Sequence, residues 1–285
     1  MKRVCIPFTL ALIFLAFATL PAMAERWDAL REEAKRAATH HGDIASQGRA
    51  ADLLYRVAEN NPGSLPDQIK AMQQMDTHLS MLKGVAEERG LEEALLAGYD
   101  RMIEHGDRVL AKYPGSAEIM VLRALAFARK GQFQGIRKSL AVIGPTFEAL
   151  HQAYETDPAA LEGLGPLVLG RMYFEVPGFF GGDSERSIRY LEEALGYRPR
   201  DVTAMRFLAE SYRDEGERKK AETTLAKIVP VKLSTRRQEA ADELFIAAGL
   251  ARDWKLGDLE DRILAKRRKM MAENPGLMDA ALRKN

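Results

Sequence analysis

The chain reads as an all-α protein made of helical hairpins stacked side by side, an α-solenoid, and three observations predict it. Two helix-turn-helix units follow one another between Leu161 and Leu233 with matching punctuation. Prolines at 62, 114, 158 and 199 close successive segments at intervals of 52, 44 and 41 residues. Elsewhere the apolar residues recur at helical spacing, as in Met72, Met75, Leu79 and Leu82.

The second unit is the plainer one. Leu208 and Tyr212 lie one helical turn apart, as do Ala221 and Leu225 on the next helix. The nine-residue step from Tyr212 to Ala221 lets the first helix end, turn at Asp214-Glu215-Gly216 and start back antiparallel. Small Ala221 then stands where two backbones come closest. The first unit repeats the order as Leu169-Gly170, Tyr173, Ser187, Leu191, Ala194 and a closing Pro199. Its run LGRMY, followed by a small residue, a large apolar one, Ala and Pro, resembles the tetratricopeptide pattern, whose period is about 34 residues. One departure is its turn, swollen to VPGFFGGD by about five residues over the usual spacing.

Of the 285 residues, 46% are hydrophobic and 29% charged, enough apolar material for a long core. The net charge of +1 gives no reason to expect nucleic acid or an anionic membrane surface as partner. Residues 1–24 read as a cleavable secretory signal peptide: Lys2 and Arg3, an apolar run from Val4 to Leu20, then Ala22-Met23-Ala24 as a small-x-small cleavage site. An uncleaved anchor is the alternative, disfavoured because the run is short and bracketed by Pro7 and Pro21. The expected location is therefore the periplasm. The single cysteine, Cys5, departs with the signal and precedes the apolar run, so no lipobox is present. Without it the mature chain has no disulfide, thiol nucleophile or cysteine-based metal site. One helical-repeat domain is expected over 25–272, with a loose tail over 273–285.

In chain order, Trp27, Leu30, Ala34 and Ala37 or Ala38 predict a helix from Glu25 to His41, stopped by Gly42. His40-His41 with Asp43 suggests a metal site only weakly; imidazoles in a last helical turn favour its negative end, and no Glu-x-x-His partner is present. Ala50, Leu54, Val57 or Ala58 and Asn61-Pro62-Gly63 then repeat the closing-helix pattern. Residues 65–113 are helix-forming with breaks near Gly84 and Gly90, and their Met-rich stripe reads as core rather than an adaptable surface. Ala117 to Arg129 predicts another first helix, with a turn at Lys130-Gly131-Gln132. A return helix opens at Gln134, is interrupted at Gly144-Pro145, and a second one closes at Asp157-Pro158. The long proline intervals mark the N-terminal repeats as elaborated. Ala240, Leu244, Ala247 and Ala248, then Leu259, Ile263 and Met270, predict a C-terminal capping helix, which a solenoid needs because its last repeat has no neighbour. Lys266-Arg267-Arg268-Lys269 reads as a solvated face at a helix end, with a site for an acidic partner as the alternative. Glu192-Glu193 near Arg189 reads as surface ion pairing.

Within the swollen turn, Phe179 and Phe180 are adjacent aromatic residues where solvent is expected, and Asp183 is placed to cap the helix that follows. Two roles are open to them: a plug folded back on the neighbouring repeat, or the lining of a cleft or protein contact. Tyr173, Phe174, Phe179 and Phe180 are the candidate partner- or ligand-binding residues. Gly163-x-Gly165 with Gly170 does not read as a dinucleotide site, since no strand precedes it and Pro166 falls inside. No G-x-S-x-G, HExxH or P-loop motif occurs, which argues against an enzyme and leaves no cofactor or metal expected.

The run GPLVLGRMYFEVPGFFGGDSERSIRYLEEAL, with LAESY downstream and a basic final helix, resembles the periplasmic T component associated with tripartite ATP-independent periplasmic (TRAP) transporters over roughly residues 110–272. The resemblance implies an all-helical repeat protein that assembles as a homo-trimer, holds an apolar small molecule in a cleft and binds the transporter's substrate-binding component. A general scaffold for cell-envelope or outer-membrane assembly is the competing function.

Overall fold

The computed structural model describes residues 25–40, 42–233 and 237–274, and among them every regular element is helical. The expected signal segment over 1–24, His41 and the part of the expected tail beyond Asn274 lie outside the described residues. Helix α1 covers 25–38. It is followed by α2 (Ile44–Asn60), α3 (Leu65–Lys83), the single turn α4 (Ala86–Arg89), α5 (Glu92–Lys112), α6 (Ala117–Gln134), α7 (Ile136–Thr156) and α8 (Ala160–Glu175). A 3-10 turn over Gly178–Phe180 leads to α9 (Ser184–Tyr197), α10 (Val202–Asp214), α11 (Arg218–Ala226), α12 (Arg237–Asp253) and α13 (Gly257–Glu273).

Each helix packs against its sequence neighbour, so α2/α3, α5/α6, α6/α7, α8/α9, α10/α11 and α12/α13 form the stacked hairpins of an α-solenoid. Caps fix where the helices begin. Asp43, Ser64, Ser116, Asp183 and Asp201 each accept a hydrogen bond at a helix N-terminus. Asp43, considered above with His40 and His41, serves the backbone of Ala45 and Ser46. The Met-rich stripe is core: Met72, Met75, Leu79, Leu82, Leu95 and Met102 are all buried. The closing stripe behaves likewise, with Ala241, Leu244, Ala247 and Ile263 buried between α12 and α13. The superhelix winds tightly enough for α12 to come back against α3.

Gly170 marks a close approach of the two helices in the α8/α9 hairpin. A Cβ there would stand 2.6 Å from Leu191 Cγ and 3.1 Å from the Ser187 carbonyl oxygen, so only glycine fits. Tyr173, Leu191 and Ala194 pack beside it, and Ala221 is fully buried in the next hairpin. These are hairpins of the tetratricopeptide kind.

Four local expectations are corrected. The turn predicted at Lys130-Gly131-Gln132 falls later, at Gly135, because α6 continues to Gln134. Gly144-Pro145 does not interrupt the return helix: α7 is continuous through Pro145. Burial of Ile143, Thr146, Leu150 and Ala153 outweighs one lost ladder bond, and the Thr146 hydroxyl donates to the Val142 carbonyl at 2.6 Å. The basic run in α13 is not all solvated. Arg267 is buried with its Nε donating to the Ala241 carbonyl at 3.1 Å, and Lys266 donates to the Val229 and Val231 carbonyls, so two of the four cations tie α13 to α12 and the chain before it. Glu192 and Glu193 accept hydrogen bonds from tyrosines rather than serving a simple surface pair. Tyr212 donates to the former, and Tyr154 to the latter at 2.9 Å, stitching α9 to α10 and α7.

Candidate functional site: a cleft on the inner face

The four aromatic residues singled out from the sequence do not form one site. Tyr173 is buried in a cluster contributed by α7, α8 and α9. Its ring stacks on Tyr190 at 5.6 Å, its hydroxyl lies 2.8 Å from His151 Nε2, and Arg186 Nη1 donates to it at 3.3 Å. Burial and the Arg186 charge both hold the His151 imidazole below its ordinary pKa, against a smaller opposing pull from Glu155. Phe174, one residue on, points elsewhere, and the Arg171 guanidinium lies 5.1 Å from its ring centre.

Phe179 and Phe180 occupy the 3-10 turn with ring centres 4.4 Å apart. Phe179 is 82% exposed and Phe180 42%, so the plug reading fails. The bulge is closed by its own backbone: Asp183 N–H donates to the Tyr173 carbonyl at 2.8 Å and Gly182 N–H to the Pro177 carbonyl at 3.2 Å. That closure leaves nothing for the rings to cover. Neither ring lines the cleft described next.

The inner face of the superhelix encloses a cleft of about 1590 Å³ between α3, α6, α7, α8, α10 and α12. Its floor is apolar, supplied by Leu122 and Leu125 of α6 and by Leu164, Leu167, Val168 and Met172 of α8, with the exposed Ile246 facing it from α12. A chain of charges runs above that floor. Arg171 pairs with Glu175 at 2.6 Å and with Glu210 at 2.8 Å; Arg206 pairs with Glu210 at 2.6 Å and with Glu243. Both guanidiniums also lie over the Phe207 ring, at 4.3 and 4.4 Å. Arg129 reaches Asp76 at 3.3 Å and Glu239 at 3.9 Å, bridging α3, α6 and α12 across the cleft. Arg206 is almost wholly buried, and its carboxylate partners hold its pKa above the usual value against that burial.

Lys83 ends α3 at the rim of the cleft. Its ammonium donates to Gln132 Oε1 at 3.4 Å. Burial lowers its pKa, and the charges of Arg129 and Arg171 lower it further. The start of α8 holds Leu161, Glu162 and Gly163 in consecutive left-handed conformations, φ 53°, 57° and 78°. A Cβ on Gly163 would come within 2.4 Å of the Tyr197 ring. Two non-glycine residues in that region are strained, and both line the cleft. Beside them Arg198 pairs with Asp201 at 3.2 Å while its Nε and Nη2 are buried without an acceptor.

The sequence reading found none of these cleft residues. A usable signal was present: Arg171/Glu175 and Arg206/Glu210 are i,i+4 charge pairs on helices whose neighbouring positions pack in the core. Among the described residues no group of three His, Cys, Asp or Glu side chains stands close enough to hold a metal.

No protein-family model matches the chain, and no curated protein matches it. Among solved structures it is similar to a thermophilic TPR protein of Thermus thermophilus, at 22% identity over 69% of this chain and 93% of that one, with a TM-score of 0.46. PilF of Pseudomonas aeruginosa is similar at 14% identity over 89% and 94% of the two chains, with a TM-score of 0.49. YrrB, described as a TPR protein with an unusual peptide-binding site, is similar at 14% identity over 82% and 98%, with a TM-score of 0.40.

Proposed function

We propose that this protein is a non-catalytic periplasmic interaction module, delivered by its signal segment, whose inner cleft seats part of a partner protein. The observation that carries this reading is the cleft itself: an apolar floor of Leu and Val side chains under paired arginines and glutamates, between helices that stacking holds open. Such a surface desolvates an extended apolar segment while its polar edge fixes register. The partner we propose is the substrate-binding component of a TRAP-type transporter, with an apolar small molecule as a further occupant of the same floor and a homo-trimer as the assembly. The support for that partner is the GPLVLGRMYFEVPGFFGGDSERSIRYLEEAL resemblance.

The test uses the absence of cysteine after residue 24. Ile246→Cys places a unique thiol in the cleft and Phe179→Cys places one on the bulge; each carries a thiol-linked photo-crosslinker. Capture of the transporter's substrate-binding component from the Ile246 position supports the proposal. Capture from the Phe179 position alone moves the interface to the bulge, and capture of envelope-assembly proteins at Ile246 favours a general scaffold.

A further inference from the structure

The cleft's charges are unevenly matched. Arg171, Arg206 and Arg129 each have carboxylate partners, among them Glu175, Glu210 and Glu239 at 2.6 to 3.9 Å. Lys83 has none: among the described residues its ammonium meets only the neutral Gln132 amide oxygen. Glu175, the acidic group whose charge acts on it, is itself held by Arg171 and by the Gln132 amide. Arg129 and Arg171 also face it and repel its charge. The last turn of α3 offers only the partial negative charge of a helix end. The Arg198 guanidinium, also in the cleft lining, has two donors without an acceptor. The cleft therefore carries more donors and positive charge than its own chain satisfies, and burying a cation without a partner is costly.

We propose that the partner segment carries an aspartate or glutamate side chain that pairs with Lys83, flanked by apolar residues that lie against half-buried Leu164 and exposed Ile246. This deepens the peptide-seating reading above and rests on it. A chain-end carboxylate offers the same chemistry, and the test below separates the two sources.

A random-heptapeptide display library selected on the purified protein tests this. Selected peptides are expected to be enriched in Asp or Glu beside apolar residues. The leading peptide, synthesised, is expected to lose at least about tenfold in affinity when its acidic residue becomes Gln or when the protein carries Lys83→Gln. The two changes together are expected to cost no more than either alone, and Lys83→Arg to retain most of the affinity. Lys83 is partly exposed at a helix end, so these variants keep the fold, checked by circular dichroism. Peptides without acidic enrichment, or an affinity that Lys83→Gln leaves unmoved, overturn the pairing while leaving a peptide-binding cleft. A requirement for a free carboxyl terminus overturns the side-chain source. Failure to select any peptide overturns both the pairing and the cleft reading.

Discussion

His105 shows how a single buried residue sets a pH dependence. It is 3% exposed on α5, its ring 4.7 Å from Tyr55, and neither ring nitrogen has a hydrogen-bond partner. Burial, with Arg108 and Arg101 nearby, pushes its pKa from 6.5 down to about 4. Between those values the unfolded chain binds a proton that the folded chain refuses, so stability falls as pH falls through this window and levels off below it. The loss is on the order of 3 kcal/mol. Urea unfolding at pH 7 and pH 4 should show it, and His105→Leu should remove most of that difference. A second residue-scale outcome concerns Glu162. Its left-handed backbone costs about 1–2 kcal/mol, more than the roughly 0.5–1 kcal/mol entropy cost of glycine, so Glu162→Gly should be neutral or stabilising by up to about 1 kcal/mol in the same assay.

At the scale of elements, the VPGFFGGD bulge is a self-closed turn whose aromatic rings do not pack into the core. Phe179→Ala with Phe180→Ala should therefore change unfolding free energy by less than about 0.5 kcal/mol. A loss of several kcal/mol would restore the plug. The elements themselves were largely legible in sequence, because a stripe such as Met72, Met75, Leu79 and Leu82 has one explanation, a buried helical face. Asp183 as a cap and Gly170 as a contact point were equally readable, since each answers a local requirement of one hairpin. Pro145 and the basic run of α13 were misread, since the outcome at both depends on what a distant helix brings. Proline's local preference yields to packing on α6, and Arg267 finds a carbonyl 26 residues away in sequence. The cleft was illegible for the same reason: Lys83, Arg171 and Glu243 come together only through the winding of the whole chain.

At the scale of the molecule, the return of α12 onto α3 decides how wide the cleft stands. Arg129 spans it, paired with Asp76 on α3 and with Glu239 on α12. The Glu239 contact, at 3.9 Å between partly exposed groups, is the weaker half and is open to screening by salt. Glu239→Ala is expected to widen the superhelix, seen as a larger radius of gyration in solution scattering, with little change in melting temperature. Added salt, at about 1 M where screening is nearly complete, should widen the unaltered protein in the same direction. Removing Arg129 instead would take an ion-pair partner from Asp76, which is 2% exposed, and should cost more stability than Glu239→Ala, separating opening from unfolding.

That return also bears on timing. With α12 drawn across to the N-terminal half, a guest seated in the cleft as proposed lies between α3 and α12. Loosening of that contact would widen its way in and out. Capture and release would then be governed by the breathing of the coil more than by the strength of individual contacts, so a change at Glu239 should speed exchange in both directions while leaving the equilibrium affinity nearly where it was.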